Sequence, residues 1–241
     1  MLEVVISPLY PDQLPTSLEQ MRVREEDARA RLEQYHARAA KAGVDLEVQV
    51  RTSATAYEGI LEKAETDQPG LIIMGRKGST KLNRLLMGSA TARVIGLSPC
   101  SVLIAPRHAV LNLRKILLAH DGSEYGEPAW REVIPLAKQA KSEVVAVSVA
   151  RDERRESACK MVLQHLEASA GRNGISLYPV FLKGRPFEKI IETVKEEQVG
   201  LVAMGSHGRT GLAQLLIGSV TERVIGTVGC PVLVVKHSKV K

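Results

Sequence analysis

Gly75, Gly78, Gly88 and Ser89 recur 130 positions later as Gly205, Gly208, Gly218 and Ser219, both sets in the pattern G-x2-G-x9-G-S. Each set follows a short apolar run, Leu71 to Met74 or Leu201 to Met204, and ends where a helix-like segment opens. Glycine lets the main chain approach a ligand closely. The first turn of a helix offers unpaired amide donors and about half a positive charge. The chemistry suited to this pattern is the wrapping of backbone N–H groups around phosphate.

The constant offset implies two copies of one domain in tandem, expected at residues 1–107 and 113–241 of the 241-residue chain. Their connection, about residues 106–114, is short enough that the two copies should pack together. In the second copy strand-like runs are expected near 115–120, 143–149, 175–182, 201–204 and 232–235. Helical patterns are expected near 124–140, 152–171, 186–197 and 219–227. Five strands with intervening helices predict a doubly wound α/β domain with a parallel sheet. The first copy repeats this order from its second strand onward: strands near 2–6, 44–51, 71–74 and 102–105, and helices near 18–42, 56–65 and after Gly88. Nothing in it corresponds to residues 115–120 or the helix that follows them.

Composition narrows the function classes. Apolar residues make up 44% and charged residues 25%, as in a soluble globular protein, whereas aromatics are only 3%. The core must therefore be aliphatic, which suits buried parallel strands. The net charge of +6 is scattered and interleaved with acids between Arg22 and Arg38, and stacking aromatics are scarce. Specific nucleic-acid binding is not expected. Cys100, Cys159 and Cys230 have no metal-ligand spacing, and an odd number argues against a disulfide framework. Cys100 and Cys230 again differ by 130 and precede matching strands, which reads as packing near a shared interface. No signal peptide or ~20-residue apolar span is visible. A cytoplasmic location is expected.

The stretches Met204 to Gly211, Gly218 to Ile225 and Cys230 to Val235 closely resemble the nucleotide-binding branch of the universal stress protein family. The resemblance covers about residues 114–236, and residues 1–105 without the front of the fold. It implies a five-stranded parallel sheet of order 3-2-1-4-5 in each copy, with ATP, ADP or AMP at the carboxyl ends of strands 1 and 4, where the strand order reverses. It further implies that Asp121 contacts the adenine or its surroundings and that Val149 lines the base. Gly205, Gly208, Gly218 and Ser219 would hold ribose and phosphates, with Met204, Arg209 and Val220 nearby. Mg2+ would accompany a triphosphate.

Each of these residues also has a plainer reading. The glycines could serve turn geometry and helix packing alone, and Ser219 could be a helix cap. Asp121 could simply open an Asp-Gly-Ser turn. His207 reads as a loop histidine without a catalytic role. Gly78-Ser79-Thr80 lacks the Gly-Lys-Ser/Thr order of a P-loop. The intact glycine set favours nucleotide binding in the second copy. In the first, Gly75, Gly78, Gly88 and Ser89 persist but the counterpart of Asp121 does not, so weaker binding is expected there.

The missing central strand would leave strands 2 and 4 of the first copy without their shared partner. An upstream segment, closure of the gap, or a strand from another chain would resolve this, and the first is expected. The favoured function is a tandem stress-response sensor or regulator that binds an adenine nucleotide. It is expected to act as a homodimer or through tight pairing of its two domains. An interaction scaffold docking through the strands near 102–105 and 232–235, between halves or between chains, is the alternative, and a slow ATPase or a protein self-phosphorylating at Ser219 or Thr221, as the resemblance allows, comes third. No set of catalytic residues or metal ligands emerges.

Overall fold

The computed structural model describes residues 1–6, 14–76, 87–208 and 217–236. It divides into two compact units, Met1–Asp67 and Gln68–Lys241. The division falls inside the first repeat, between its second helix and its third strand.

The first unit comprises β1 (Leu2–Ile6), α1 (Leu14–Lys41), β2 (Gln49–Ser53) and α2 (Ala56–Asp67). β1 and β2 pair in parallel, from Leu2 opposite Gln49 to Ile6 opposite Ser53. Val5, Ala28, Leu32 and Ala64 are its buried apolar side chains. At Gly59 of α2 a Cβ would lie 2.8 Å from Val4, so glycine lets that helix lie flat on the strand. α1 starts earlier than the sequence pattern suggests, because Pro15 falls in a first turn that does not need its N–H. β2 lies later than expected, at Gln49–Ser53 rather than 44–51. Gly43, at φ +69°, ends α1, and Val44 donates its N–H back to Ala39.

The second unit contains β3 (Leu71–Gly75), α3 (Ser89–Leu97), β4 (Ser101–Ala105), β5 (Lys115–Ala119), α4 (Gly126–Ala140), β6 (Glu143–Ala150), α5 (Glu156–Asn173), β7 (Ser176–Lys183), α6 (Pro186–Glu196), β8 (Leu201–Gly205), α7 (Ser219–Thr227) and β9 (Val232–Val235). A 3-10 turn, Glu153–Arg155, occupies the start of the helix expected from 152. The seven strands form one sheet in the order β3-β4-β9-β8-β5-β6-β7. Its last five strands have the expected 3-2-1-4-5 order, all in parallel.

The first repeat does not form a sheet of its own. Its strands are shared between the β1-β2 pair and the seven-stranded sheet. In a 3-2-1-4-5 order the first strand is the only link between strands 2 and 4, and among the described residues the first repeat shows no such strand. What remains separates into pairs, and the β3-β4 pair joins the second repeat through β4 against β9.

That junction is antiparallel, with Val102, Leu103 and Ile104 opposite Val234, Leu233 and Val232. Two cations cross it reciprocally. Arg76, just after β3, donates Nη1 to the carbonyls of Ile225 (3.2 Å), Gly226 (3.1 Å) and Val228 (3.2 Å) at the end of α7. Lys236, just after β9, donates Nζ to Ile95 (3.0 Å) and Gly96 (2.7 Å) near the end of α3. Each cation thus satisfies carbonyls that a helix terminus leaves unpaired.

On one face of the sheet, α4 and α5 cover the aliphatic core. Trp130, Val133 and Ala137 of α4, with Leu163 and Leu166 of α5, pack on Ile116, Leu118, Val144, Ala146 and Ala203. The indole N–H of buried Trp130 donates to Ser169 at 3.0 Å. Burying aliphatic strands between helices removes apolar surface from water, and hydrogen-bonding the one polar atom of the indole avoids an unpaired donor.

Candidate functional site

β5 and β8 lie side by side, and the chain leaves β5 in one direction across the sheet and returns to β8 for the other. The loops after these two strands must therefore diverge, which opens a crevice at their carboxyl ends. A cavity of about 400 Å³ occupies that place. This volume suits a small organic ligand.

One wall is the loop after β5. Asp121 accepts the Ser123 N–H on Oδ1 at 3.0 Å, and buried His120 accepts the Gly122 N–H on Nδ1 at 3.0 Å. Gly122 has φ +77°, the left-handed conformation that closes this turn. Gly126 in α4 makes room for the His120 ring, since a Cβ there would lie 2.7 Å from it. The Asp-Gly-Ser turn of the plainer reading is therefore real, and Asp121 also lines the cavity.

The opposite wall is the glycine loop after β8. Gly205 packs so tightly that a Cβ would meet the Tyr125 carbonyl oxygen at 2.3 Å, and its role is steric. A Cβ on Gly208 would lie 2.9 Å from Asp121 Oδ2, so this glycine keeps the two loops in close approach. The Gly218 N–H donates to Ser206 at 2.9 Å, and the buried Thr221 hydroxyl donates to Gly205 at 3.0 Å. The first repeat has the same two braces: Gly88 N–H to Arg76 at 3.0 Å, and the Thr91 hydroxyl to Gly75 at 3.2 Å. These braces bring Gly218 and the first turn of α7 back over the strand end. The leading amides of α7 lack acceptors within the helix and define its positive end.

The predicted residues of the second repeat converge here. Asp121, Val149, Met204, Gly205, Gly208, Gly218, Ser219 and Val220 all line the cavity. Val149 lies within β6 rather than after it. Arg209 and Gly78 lie outside the described residues. Gly75, Gly88 and Ser89 line neither this cavity nor its neighbour. Sequence reasoning missed His120, Arg151, Arg155 and Ile190, and did not place Thr221 among the binding residues; all five also line the cavity. The signal for Arg151 was its place directly after a strand whose carboxyl end faces the crevice. For Thr221 it was the repeated Thr91, also 130 positions away. Arg151 and Arg155 add positive charge to a wall that already carries a helix start, while Val147, Val149, Met204 and Ile190 form an apolar portion. Apolar surface on one part and amides with guanidiniums on another can take an aromatic base and an anion together. Among the described residues no three His, Cys, Asp or Glu side chains gather as metal ligands. No helix among them is long and apolar enough to cross a membrane.

The universal stress protein family model matches residues 4–106 and again 112–236. A universal stress protein of Methanocaldococcus jannaschii is 30% identical over 163 residues, covering 57% of this chain and 96% of that protein. One from Mycolicibacterium smegmatis is 26% identical over 234 residues, covering 88% of this chain and 78% of the relative. The crystal structure of a universal stress protein from Archaeoglobus fulgidus shares the fold, with a TM-score of 0.79 at 22% identity over 100% of this chain and 86% of that one. The chain belongs to the universal stress protein family, in a tandem arrangement.

Proposed function

We propose that this member of the universal stress protein family binds an adenine nucleotide in the cavity between the loops after β5 and β8, and that its nucleotide-dependent state serves a stress-response sensor or regulator. The observation that carries this reading is the convergence of Asp121, Gly208, Gly218 and Ser219, drawn from both loops and the start of α7, on one cavity with an apolar side. The base would lie along Val147, Val149 and Ile190. The phosphates would lie against the amides of Ser219 and Val220, with Arg151 and Arg155 supplying charge. Mg2+ would enter with ATP, held chiefly by phosphate oxygens and water. Binding falls chiefly to the second repeat, because among the described residues the first shows no loop equivalent to that of Asp121.

The scaffold alternative has its docking strands paired between the two halves, β4 against β9. With β3 and β8 on their other sides, neither strand offers a free edge to a second chain, so only docking between chains loses its support. Calorimetric titration of the purified chain with AMP, ADP and ATP, with and without Mg2+, tests the proposal. Saturable binding at one site is expected, and an absence of heat with all three nucleotides would refute it.

A further inference from the structure

A second cavity, about 450 Å³, adjoins the first and shares Arg151, Pro186, Ser219 and Val220 with it. Its remaining wall is made by Gly184, Arg185, Phe187 and Arg223. Three guanidiniums therefore surround a concavity that begins where the proposed phosphate position ends. Arg185 is paired with Glu188 at 3.1 Å. Arg151 and Arg223 have no ion-pair partner among the described residues. Arg223 is held with its guanidinium over the Phe187 ring, 4.5 Å from the centroid, which orders the group without neutralising it. Phe187 is one of only two phenylalanines in the chain. α6 and α7 both begin at this cavity, with Pro186 and Ser219 as their first residues.

Arginine is the side chain suited to phosphate, because its planar fork offers several donors and its charge is permanent. Unneutralised arginines that line one concavity raise the local concentration of anions. An adenine nucleotide ending at the α7 amides would leave these groups facing water. We propose that this annex is a phosphate subsite for a chain that continues past the Ser219 amides. The preferred ligand is then an adenosine oligophosphate longer than the triphosphate, either free or bridged to a second nucleoside. The inference rests on the reading of the main cavity as an adenine-nucleotide site.

Calorimetric titration of the full chain with AMP, ATP, adenosine 5′-tetraphosphate and diadenosine tetraphosphate separates the two readings. Wild type should bind the tetraphosphate at least about fivefold more tightly than ATP. The double variant Arg185→Gln, Arg223→Gln, at two arginines that line only the annex, should bind the two alike and keep most of its affinity for AMP. If AMP and ATP bind but the tetraphosphate gains nothing in wild type, the annex is refuted and the main site stands. A preference that survives in the double variant also refutes it. If none of the four nucleotides binds, both readings fall. The wild-type series carries the refutation even if the double variant does not fold. Tighter binding of the diadenosine compound, lost in Phe187→Ala, would identify the bridged ligand, and equal binding would identify the free oligophosphate.

Discussion

Replacing Ser219 with aspartate sets binding against stability, because the same charge acts on each with opposite sign. Ser219 is exposed and is the first residue of α7. A carboxylate in that turn complements the helix dipole and should stabilise the ligand-free fold by about 0.3–1 kcal/mol. A phosphate group drawn to the same amides would lie on the order of 5 Å from the carboxylate. Repulsion between charges of −1 and −2 at that distance is about 2–3 kcal/mol for an effective dielectric constant of roughly 40–80. Since 1.4 kcal/mol is about tenfold in affinity, Ser219→Asp should weaken binding roughly 30- to 150-fold, and more for ATP than for AMP. Calorimetry with both nucleotides, beside urea unfolding of the ligand-free protein, reads the two signs separately. Unaltered affinity for both nucleotides in a variant at least as stable as wild type would refute placement of phosphate at α7.

Three further expectations concern the scaffold. Arg76→Met should destabilise the chain by about 2–3 kcal/mol, since it leaves the carbonyls at the end of α7 without a charged donor; urea unfolding measures this. Gly205→Ala should cost roughly 1–3 kcal/mol or more through the Tyr125 carbonyl, whereas Gly208→Ala meets only the end of the Asp121 side chain; the same assay compares them. Burial raises the Glu132 carboxyl above its ordinary value near 4.5, against the opposing hydrogen bond from Ser101. The folded state then holds this proton to a higher pH than the unfolded state does, so stability falls as pH rises from about 4.5 through the folded value. Glu132→Gln should be more stable than wild type at pH 7, with the gain gone below pH 4, in thermal unfolding at both pH values.

The architecture of the second repeat was legible because each level of its sequence agreed. Ile116, Leu117 and Leu118 form a continuous apolar run, as a strand covered on both faces must, and Gly205 and Gly218 mark where the chain turns tightly. The glycine pattern identified the loop but not the reason for each glycine. Gly205 answers to the carbonyl of Tyr125, just before α4, a contact between segments 80 residues apart that no local pattern records. Arg223 was illegible for a similar reason. In sequence it is an ordinary surface arginine, and only the crossover that ends in α7 brings it to the cavity that Arg151, directly after β6, also lines. The split of the first repeat was foreshadowed by its missing strand. The antiparallel junction of β4 with β9, by contrast, depends on edges whose pairing the sequence does not encode locally.

That junction also explains why the chemistry should concentrate in one repeat. Arg76 occupies the position equivalent to Ser206, directly after the strand that precedes the glycine loop. In the second repeat the Ser206 hydroxyl and the His207 ring nitrogen Nδ1 are 3.1 Å apart, and His207 lines the cavity. In the first repeat the same place carries a guanidinium turned away to the carbonyls of α7. Among the described residues β3 pairs with β4 alone, whereas β8 has β5 beside it and so gains the Asp121 loop as an opposing wall. On the proposed reading, a glycine set without that wall should bind a nucleotide more weakly than the second set. The first glycine set therefore retains the braces of the fold, Gly88 to Arg76 and Thr91 to Gly75, while Arg76 caps the helix whose opposite end is proposed to hold phosphate in the second. Arg76→Met consequently tests more than stability. If α7 loosens at its carboxyl end while its first turn stays braced by Thr221, nucleotide affinity should fall by less than about threefold. A loss as large as that of Ser219→Asp would show that the two repeats act as one binding unit.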